Sequence, residues 1–279
     1  MLHIAVCLKQ VPMVTELPWD EKSKTLRRDL AAGMMNPACK HAVEAALQIK
    51  ESHPAFVTAL TMGPAGAEEV LREALAMGAD RGILICDKKF AGADTYATSY
   101  VLSKAIGKEI PNVDLILCGA YTADSETAQV GPQLAEELNL PAVAYAEHLA
   151  LHHGTLRVRR LVDKFWETLE MDFPALVTIS MEQYKPRFAS LGGLNRAFTE
   201  QSIVTLTARD LGVTDADLAE HGSRTRVRRV FVRRAQKENV VITGTASAAV
   251  AEFLDRFESR LSAVVGKSIE AKRRSDHGK

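Results

Sequence analysis

The sequence predicts an α/β fold, a mostly parallel sheet with flanking helices, followed by an extended C-terminal arm. Three observations predict it. Short apolar runs alternate with helical patterns through the first half of the chain, the mark of βαβ units. Those runs are apolar on both faces, as strands covered by helices on both sides must be. From about Leu191 the compact patterning gives way to a polar stretch and one long terminal helical pattern. The first two features describe a Rossmann-like sheet. The third sets the expected division into an α/β domain over residues 1–190 and a linker and arm over residues 191–279.

Taken in order, residues 4–8, 57–61, 83–86 and 114–118 are the first strands. Between them, Ala67, Val70, Leu71, Ala74 and Leu75 form one helical stripe, and Glu68 and Glu69 suit the positive end of its dipole. Ala97, Val101, Leu102, Ala105 and Ile106 form another, started by Asp94 or Thr95 and stopped by Gly107. After Pro141 come further strands over residues 143–151, 156–161, 166–171 and 175–181, expected at an edge of the main sheet, with His153-Gly154 as a hairpin turn. Thr168, Glu170 and Asp172 alternate with Leu169 and Met171, so that strand has one wet face. Leu191-Gly192-Gly193 opens a linker, residues 227–232 are an isolated strand, and residues 245–265 are a helix striped with Val250, Phe253, Leu254, Phe257 and Leu261. An isolated strand and helix cannot bury such faces alone, so the arm is expected to pack on another chain.

Lys plus Arg and Asp plus Glu are both 35 in a chain of 279 residues, which gives no pull toward nucleic acid or an anionic membrane. Arg224, Arg226, Arg228, Arg229, Arg233 and Arg234 crowd one stretch, read as a solvated strand edge because only Phe231 interleaves with them. Cys7, Cys39, Cys86 and Cys118 show neither C-x-x-C spacing nor a histidine at ligand spacing. They read as reduced thiols of a cytoplasmic protein with no metal site. The first apolar run is too short for a signal peptide, and no segment reaches membrane-spanning length.

Ligands of open parallel sheets bind beyond the carboxyl ends of the strands. Lys9-Gln10-Val11-Pro12 follows the first strand there, and Met62-Gly63-Pro64 the second. A long run from Gly119 through Thr122, Ala123, Asp124, Ser125, Thr127, Ala128, Gln129, Val130 and Gly131 to Pro132 and Gln133 follows the fourth. Small and hydroxyl residues running into a helix whose first turn accepts Pro132 suit a phosphate or pyrophosphate. Asn36-Pro37 begins another helix at the same mouth. Each element has a structural reading too: Asn36 as an N-cap with proline at N1, and Met62-Gly63-Pro64 as a turn. The loop after the fourth strand is longer than a plain connection requires. Neither G-x-G-x-x-G after a strand nor G-x-x-x-x-G-K-[ST] occurs. The eight histidines form no triad and no paired carboxylates stand out, which fits binding and electron handling rather than bond breaking.

Ala74-Leu75-Ala76-Met77-Gly78-Ala79-Asp80-Arg81-Gly82 resembles the hallmark run of electron-transfer flavoprotein β subunits. So do Met35-Asn36-Pro37 with Ala42-Val43-Glu44 after it, Met62-Gly63-Pro64-Ala65, and Thr127-Ala128-Gln129-Val130-Gly131-Pro132. Arg160, Asp163 and Glu167 match a charged motif, and Pro174-Ala175-Leu176-Val177-Thr178 the strand after it. Pro186-Arg187-Phe188 falls at the partner-docking loop. The resemblance covers roughly residues 1–210. Two departures stand out. Lys164-Phe165-Trp166 replaces glycines of the charged motif, and Gln183, Tyr184 and Lys185 replace an aliphatic residue followed by Asn-Glu.

The resemblance implies a heterodimer with an α subunit that holds most of the redox-active FAD, while this chain buries AMP or a second FAD. It places cofactor contacts at Cys7, Lys9, Asn36, Pro37, Cys39, Met62, Gly63, Gly119 and the loop through Gln133, and an interdomain role at Glu167. It implies docking of an acyl-CoA-type or other flavin dehydrogenase at residues 180–190 through Met181, Gln183, Tyr184, Arg187 and Phe188. Tyr184 is the favoured anchor there because Gln183 and Lys185 flank it. The competing class is an ATP-dependent enzyme or nucleotide sensor of the same adenine-nucleotide-binding fold, but neither a Ser-Gly-Gly loop nor a His-x-Gly-His run occurs.

Overall fold

The structure is a computed structural model. It describes residues 1–13, 19–20, 25–26, 32–152, 154–226, 228 and 240–276. The chain forms two compact units, Met1–Val230 and Phe231–Lys279.

The first unit is built on β1 (Leu2–Leu8), whose residues alternate between two cores. Ile4, Val6 and Leu8 face one side, and Ala5 and Cys7 the other. The short strands β2 (Gln10–Pro12) and β5 (Gly33–Met35) pair antiparallel in a separate sheet, as do β3 (Trp19–Asp20) and β4 (Thr25–Leu26). Helix α1 (Pro37–Ser52) leads to β6 (Ala55–Met62), α2 (Glu68–Met77) to β7 (Arg81–Ile85), and α3 (Thr95–Glu109) to β8 (Leu115–Gly119). Helix α4 (Val130–Glu137) precedes β9 (Ala142–His152), β10 (Thr155–Val162), β11 (Phe165–Met171) and β12 (Ala175–Ile179). Helix α5 (Leu191–Thr199), strand β13 (Ile203–Leu206) and helix α6 (Asp215–Glu220) follow.

The main sheet runs in the order β11-β10-β9-β12-β8-β1-β6-β7-β13. Pairings from β9 to β13 are parallel, and β10 and β11 add an antiparallel edge. Helices α1 and α2 bury Val43, Leu47 and Leu71 against one face, while α3 and α4 bury Ile106 and Leu134 against the other. This is the doubly covered sheet that the two-faced apolar runs predict.

Local sequence accounts for the boundaries. Asp94 caps α3, accepting from the Ala97 amide at 3.0 Å. The helix runs two residues past Gly107 to Glu109, because an open position tolerates glycine within a helix. In the Ala74 to Gly82 run, Gly78 ends α2, and Asp80 ties two elements together: it accepts from the Val57 amide at 2.8 Å and from Lys50 Nζ at 2.6 Å. Asp163 and Lys164 both take positive φ (47° and 75°) in the two-residue turn joining β10 to β11, a conformation that suits right-twisted strands. Lys164 thus adopts a backbone that glycine adopts more easily.

The chain from Leu191 is not a linker. Leu191, Gly192 and Gly193 are the first turn of α5, capped by Ser190, whose hydroxyl accepts from the Gly193 amide at 2.9 Å. A Cβ on Gly193 would lie 2.2 Å from the Ala76 carbonyl, so the glycine permits close packing of α5 on α2. Strand β13 then extends the sheet beside β7. The compact body therefore continues beyond the expected boundary at residue 190.

In the second unit, α7 (Ala246–Asp276) begins where its sequence pattern begins and extends eleven residues past its expected end at residue 265. Val250, Phe253 and Leu254 on its apolar stripe are exposed, and the rings of Phe253 and Phe257 lie 5.0 Å apart. The expected strand over residues 227–232 lies outside the described residues, apart from Arg228. Among the described residues no helix is long and apolar enough to cross a membrane.

Candidate functional site

Helix α1 carries the chain from β1 to one side of the sheet, and α4 carries it from β8 to the other. The crevice between the carboxyl ends of β1 and β8 is therefore the topological switch point, where ligands of such sheets bind. Lys9 leaves the end of β1, and Gly119 ends β8.

Three separate segments meet in this crevice. Lys9 Nζ lies 2.7 and 2.9 Å from the two carboxylate oxygens of Asp124, whose side chain is only 5% exposed. Asn36 is 1% exposed and sits at the N-cap of α1 with Pro37 at the first helical position, yet its side chain does not cap that helix. It turns instead to the loop after β8, where Nδ2 donates to the Tyr121 carbonyl at 2.8 Å and Oδ1 accepts from the Ala123 amide at 2.9 Å. Its own amide donates to the Lys9 carbonyl at 2.9 Å. The capping interpretation of Asn36 thus holds for its position but not for its side chain. Thr122 and Ser125 hydroxyls lie 2.9 Å apart, and the Glu126 amide donates to the Thr122 carbonyl at 2.8 Å.

The loop is tight. A Cβ on Gly119 would lie 2.7 Å from the Ala38 carbonyl carbon and 2.8 Å from the Cys39 nitrogen, so only glycine lets β8 pass beneath the start of α1. Glu126 and Ala128 hold positive φ (50° and 55°), a conformation costly for residues with a side chain. Gln129 precedes α4 without capping it by its side chain, and its Oε1 accepts from the Thr95 hydroxyl at 3.0 Å. Thr127 and Gln129 are exposed, and Val130 is half-buried. Gly131 serves packing: a Cβ there would come within 2.5 Å of Thr178 Cγ2.

The thiols lie beneath. Cys7 and Cys118 are register partners on β1 and β8, facing the α3 and α4 core. The hydrogen bond with Cys7, together with burial, pushes the Cys118 thiol well up. Burial likewise raises Cys39, beside Asn36 Nδ2 at 3.4 Å. Met62 ends β6 and Gly63 follows it, where the Gly63 amide donates to the Ile85 carbonyl at 3.0 Å and so ties this turn to β7.

Gln133 Oε1 on α4 and Thr61 Oγ1 at the end of β6 are buried without a hydrogen-bond partner within the protein, as are His41 Nδ1 and Ser180 Oγ. Among the described residues no group of His, Cys, Asp and Glu is arranged to hold a metal. A separate open concavity of about 360 Å³, lined by Asp87, Lys89, Arg209 and Thr214 among others, lies at the ends of β7 and β13, away from the switch point.

The bend at residues 180–190 departs from expectation. Tyr184 is not a protruding ring. It is 7% exposed, packs in the core with α1, and its hydroxyl accepts from the Leu149 amide at 2.8 Å. Its polar neighbours Gln183 and Lys185 are exposed, while the ring between them turns inward. Arg187 is held by Glu44 and Glu51. Phe188 is the exposed aromatic, at 98%, and Leu191, expected only as the start of a linker, is 87% exposed. Met181 is half-buried, and Gln183 Nε2 lies 3.5 Å from Glu147 Oε2. On the edge hairpin, Glu167 accepts from Arg160 Nε at 2.9 Å.

Residues 24–211 match the family described as "Electron transfer flavoprotein domain". The "Electron transfer flavoprotein subunit beta" of Thermoanaerobacterium thermosaccharolyticum is 40% identical over 93% of this chain and 99% of its own. The "Caffeyl-CoA reductase-Etf complex subunit CarD" of Acetobacterium woodii is 40% identical over 91% and 96%. The "Protein FixA" of Azorhizobium caulinodans is 36% identical over 91% and 95%. With that match over most of its length, and with the hallmark runs at the positions described, the chain belongs to the electron-transfer flavoprotein family, as a β-type electron-transfer subunit.

Proposed function

We propose that the crevice between β1 and β8 holds an adenine nucleotide, either AMP or the adenylate half of a second FAD, within a heterodimer whose α subunit carries most of the redox-active FAD. The observation that carries this reading is the use of Asn36: a buried side chain in N-cap position gives up its cap to fix the loop of residues 121–123. A loop that served only as a connection would not need such a brace. In this reading Lys9 and Asp124 set the width of the mouth, the amides at the start of α4 face the phosphates, and Gln133 Oε1 accepts from the base or sugar. FAD, when bound by the heterodimer, supplies one- and two-electron acceptance, and the residues here bind and orient the nucleotide.

The exposed pair Phe188 and Leu191 forms the docking face for a flavin dehydrogenase, with Met181 and Gln183 at its margin. This placement rests on their exposure beside a fixed bend. Glu167, paired with Arg160 on the edge hairpin, faces the α subunit, and the unit from Phe231 packs on that subunit through the apolar stripe of α7. One relative's name joins it to a CoA-thioester reductase, which supports an acyl-CoA-type dehydrogenase as the partner class. The cytoplasm is the compartment that suits four free cysteines.

The test is co-expression with the partner α subunit, denaturation of the purified complex, and mass spectrometry of released nucleotides against protein content. AMP at one equivalent with one FAD supports the first form, and two FAD support the second. A complex with one FAD and no further nucleotide would refute the site.

A further inference from the structure

The bend between β12 and α5 is fastened to the body of the protein at two points. The first is Tyr184, whose buried hydroxyl accepts from the Leu149 amide. The second is stronger and lies three residues on. Arg187 Nε and Nη2 donate to the two carboxylate oxygens of Glu44 at 2.8 and 2.9 Å, and the Arg187 amide donates to the same carboxylate at 3.1 Å. Arg187 Nη1 reaches Glu51 at 2.6 Å. Glu44 is 4% exposed, in the middle of α1, and also accepts from Gln48 at 2.9 Å.

A carboxylate buried on a core helix is costly unless its oxygens are fully satisfied. Two-pronged pairing by a guanidinium, with a backbone amide added, is the geometry that satisfies it and also fixes direction. The residue that follows this clamp is Phe188, 98% exposed, and Leu191 stands three further on at 87%. The chain therefore goes in one step from a side chain held by two carboxylates to a ring that is almost fully exposed.

We propose that Arg187 is a positioning residue for electron transfer: its clamp on Glu44 and Glu51 fixes the direction in which Phe188 and Leu191 meet the redox partner. The inference rests on the docking role proposed above for this bend. An anchor held in its bound orientation before the encounter loses less freedom on binding, and the benefit appears as affinity for the partner. No bond or electron moves at Arg187.

The experiment uses the flavin-loaded heterodimer and an acyl-CoA dehydrogenase that reduces the unmodified complex. Arg187→Lys keeps the charge and loses the two-pronged geometry. Hydrogen exchange over residues 185–190 is expected to quicken, and the apparent KM for the dehydrogenase to rise about 3- to 10-fold, with kcat and the flavin spectrum unchanged. Glu51→Gln, which touches only the exposed arm of the clamp, gives a smaller rise in the same direction and serves if Arg187→Lys lowers the melting temperature. Faster exchange with an unchanged KM would reduce the clamp to a structural feature, and unchanged exchange would show that it does not hold the bend. A Phe188→Ala control separates the two readings: if its KM matches the unmodified complex, the docking face itself is wrong.

Discussion

Lys9 and Asp124 face each other across the mouth of the crevice, with the lysine 38% exposed and the aspartate side chain 5% exposed. Asp124 therefore depends on Lys9 more than Lys9 depends on it. Asp124→Ala removes a charge-assisted contact that spans the switch point, where one such bond is worth about 1.5–3 kcal/mol. Nucleotide retained per complex after extensive dialysis is expected to fall about tenfold or more. Unchanged retention would show that the pair only closes the fold.

Gly119→Ala tests the close passage beneath α1. A methyl group there meets backbone atoms of Ala38 and Cys39, which cannot swing away as a side-chain tip can. We expect a loss of about 1–3 kcal/mol in urea unfolding together with loss of nucleotide. At Gly131 a Cβ meets side chains instead, Thr178 Cγ2 at 2.5 Å and Cys118 and Leu176 at 3.7 Å, so Gly131→Val also lowers stability and does not act on the nucleotide alone.

Tyr184→Ala is expected to lower the melting temperature strongly, because truncating a buried aromatic costs about 3–5 kcal/mol. Tyr184→Phe removes only the hydroxyl that accepts from Leu149 and costs about 1 kcal/mol. Thermal unfolding of both variants checks the buried placement. A melting temperature unaffected by Tyr184→Ala would contradict it.

Burial raises the Cys39 thiol, and the bond with Cys7 together with burial raises Cys118. Both are expected to stay protonated and unreactive toward a thiol-disulfide reagent at neutral pH in the folded protein. Half-buried Cys86 is the thiol expected to react first. Mass mapping of the labelled peptides before and after unfolding decides this, and rapid labelling at Cys118 would overturn it.

The clamp at Glu44 carries a pH signature. Burial acts to raise its carboxyl, but hydrogen bonds from Arg187 and Gln48 outweigh burial and leave it below the ordinary 4.5. A carboxyl depressed on folding contributes stability that is complete above its unfolded value and is lost as pH falls through its folded one. The stability gap between the unmodified protein and Glu44→Gln is thus expected to be largest near neutral pH. It shrinks as the pH drops below 4.5, as urea titrations at several pH values would show. A gap that is flat across that range would remove Glu44 from the clamp.

The parallel strands were legible because a strand buried on both faces is a continuous apolar run, and β1, β6, β7 and β8 all read that way. The loop after β8 was legible for the opposite reason, since it is longer and richer in small residues than a connection needs. Helix α5 and strand β13 were not, because nine residues opening on two glycines, followed by four, carry too little periodicity. Tyr184 misled because polar neighbours report their own exposure, and in a bend the ring between them can point the other way. The brace at Asn36 and the clamp of Arg187 on Glu44 could not be read at all. They join residues 85 and 143 positions apart, and an N-cap or a docking arginine would show the same residue types.

Strand β1 is made first but lies inside the sheet, with β6 on one side and β8 on the other. During synthesis β6 can cover one flank early, while the other stays open until residues 115–119 have left the ribosome. At roughly 5–20 residues per second, the fifty-odd residues between those strands take several seconds. Throughout that interval the nascent chain presents an unpaired apolar edge, the kind of surface that recruits stray strands or a chaperone. A ligand seated between β1 and β8 cannot shorten this exposure, because half of its seat has not yet been translated.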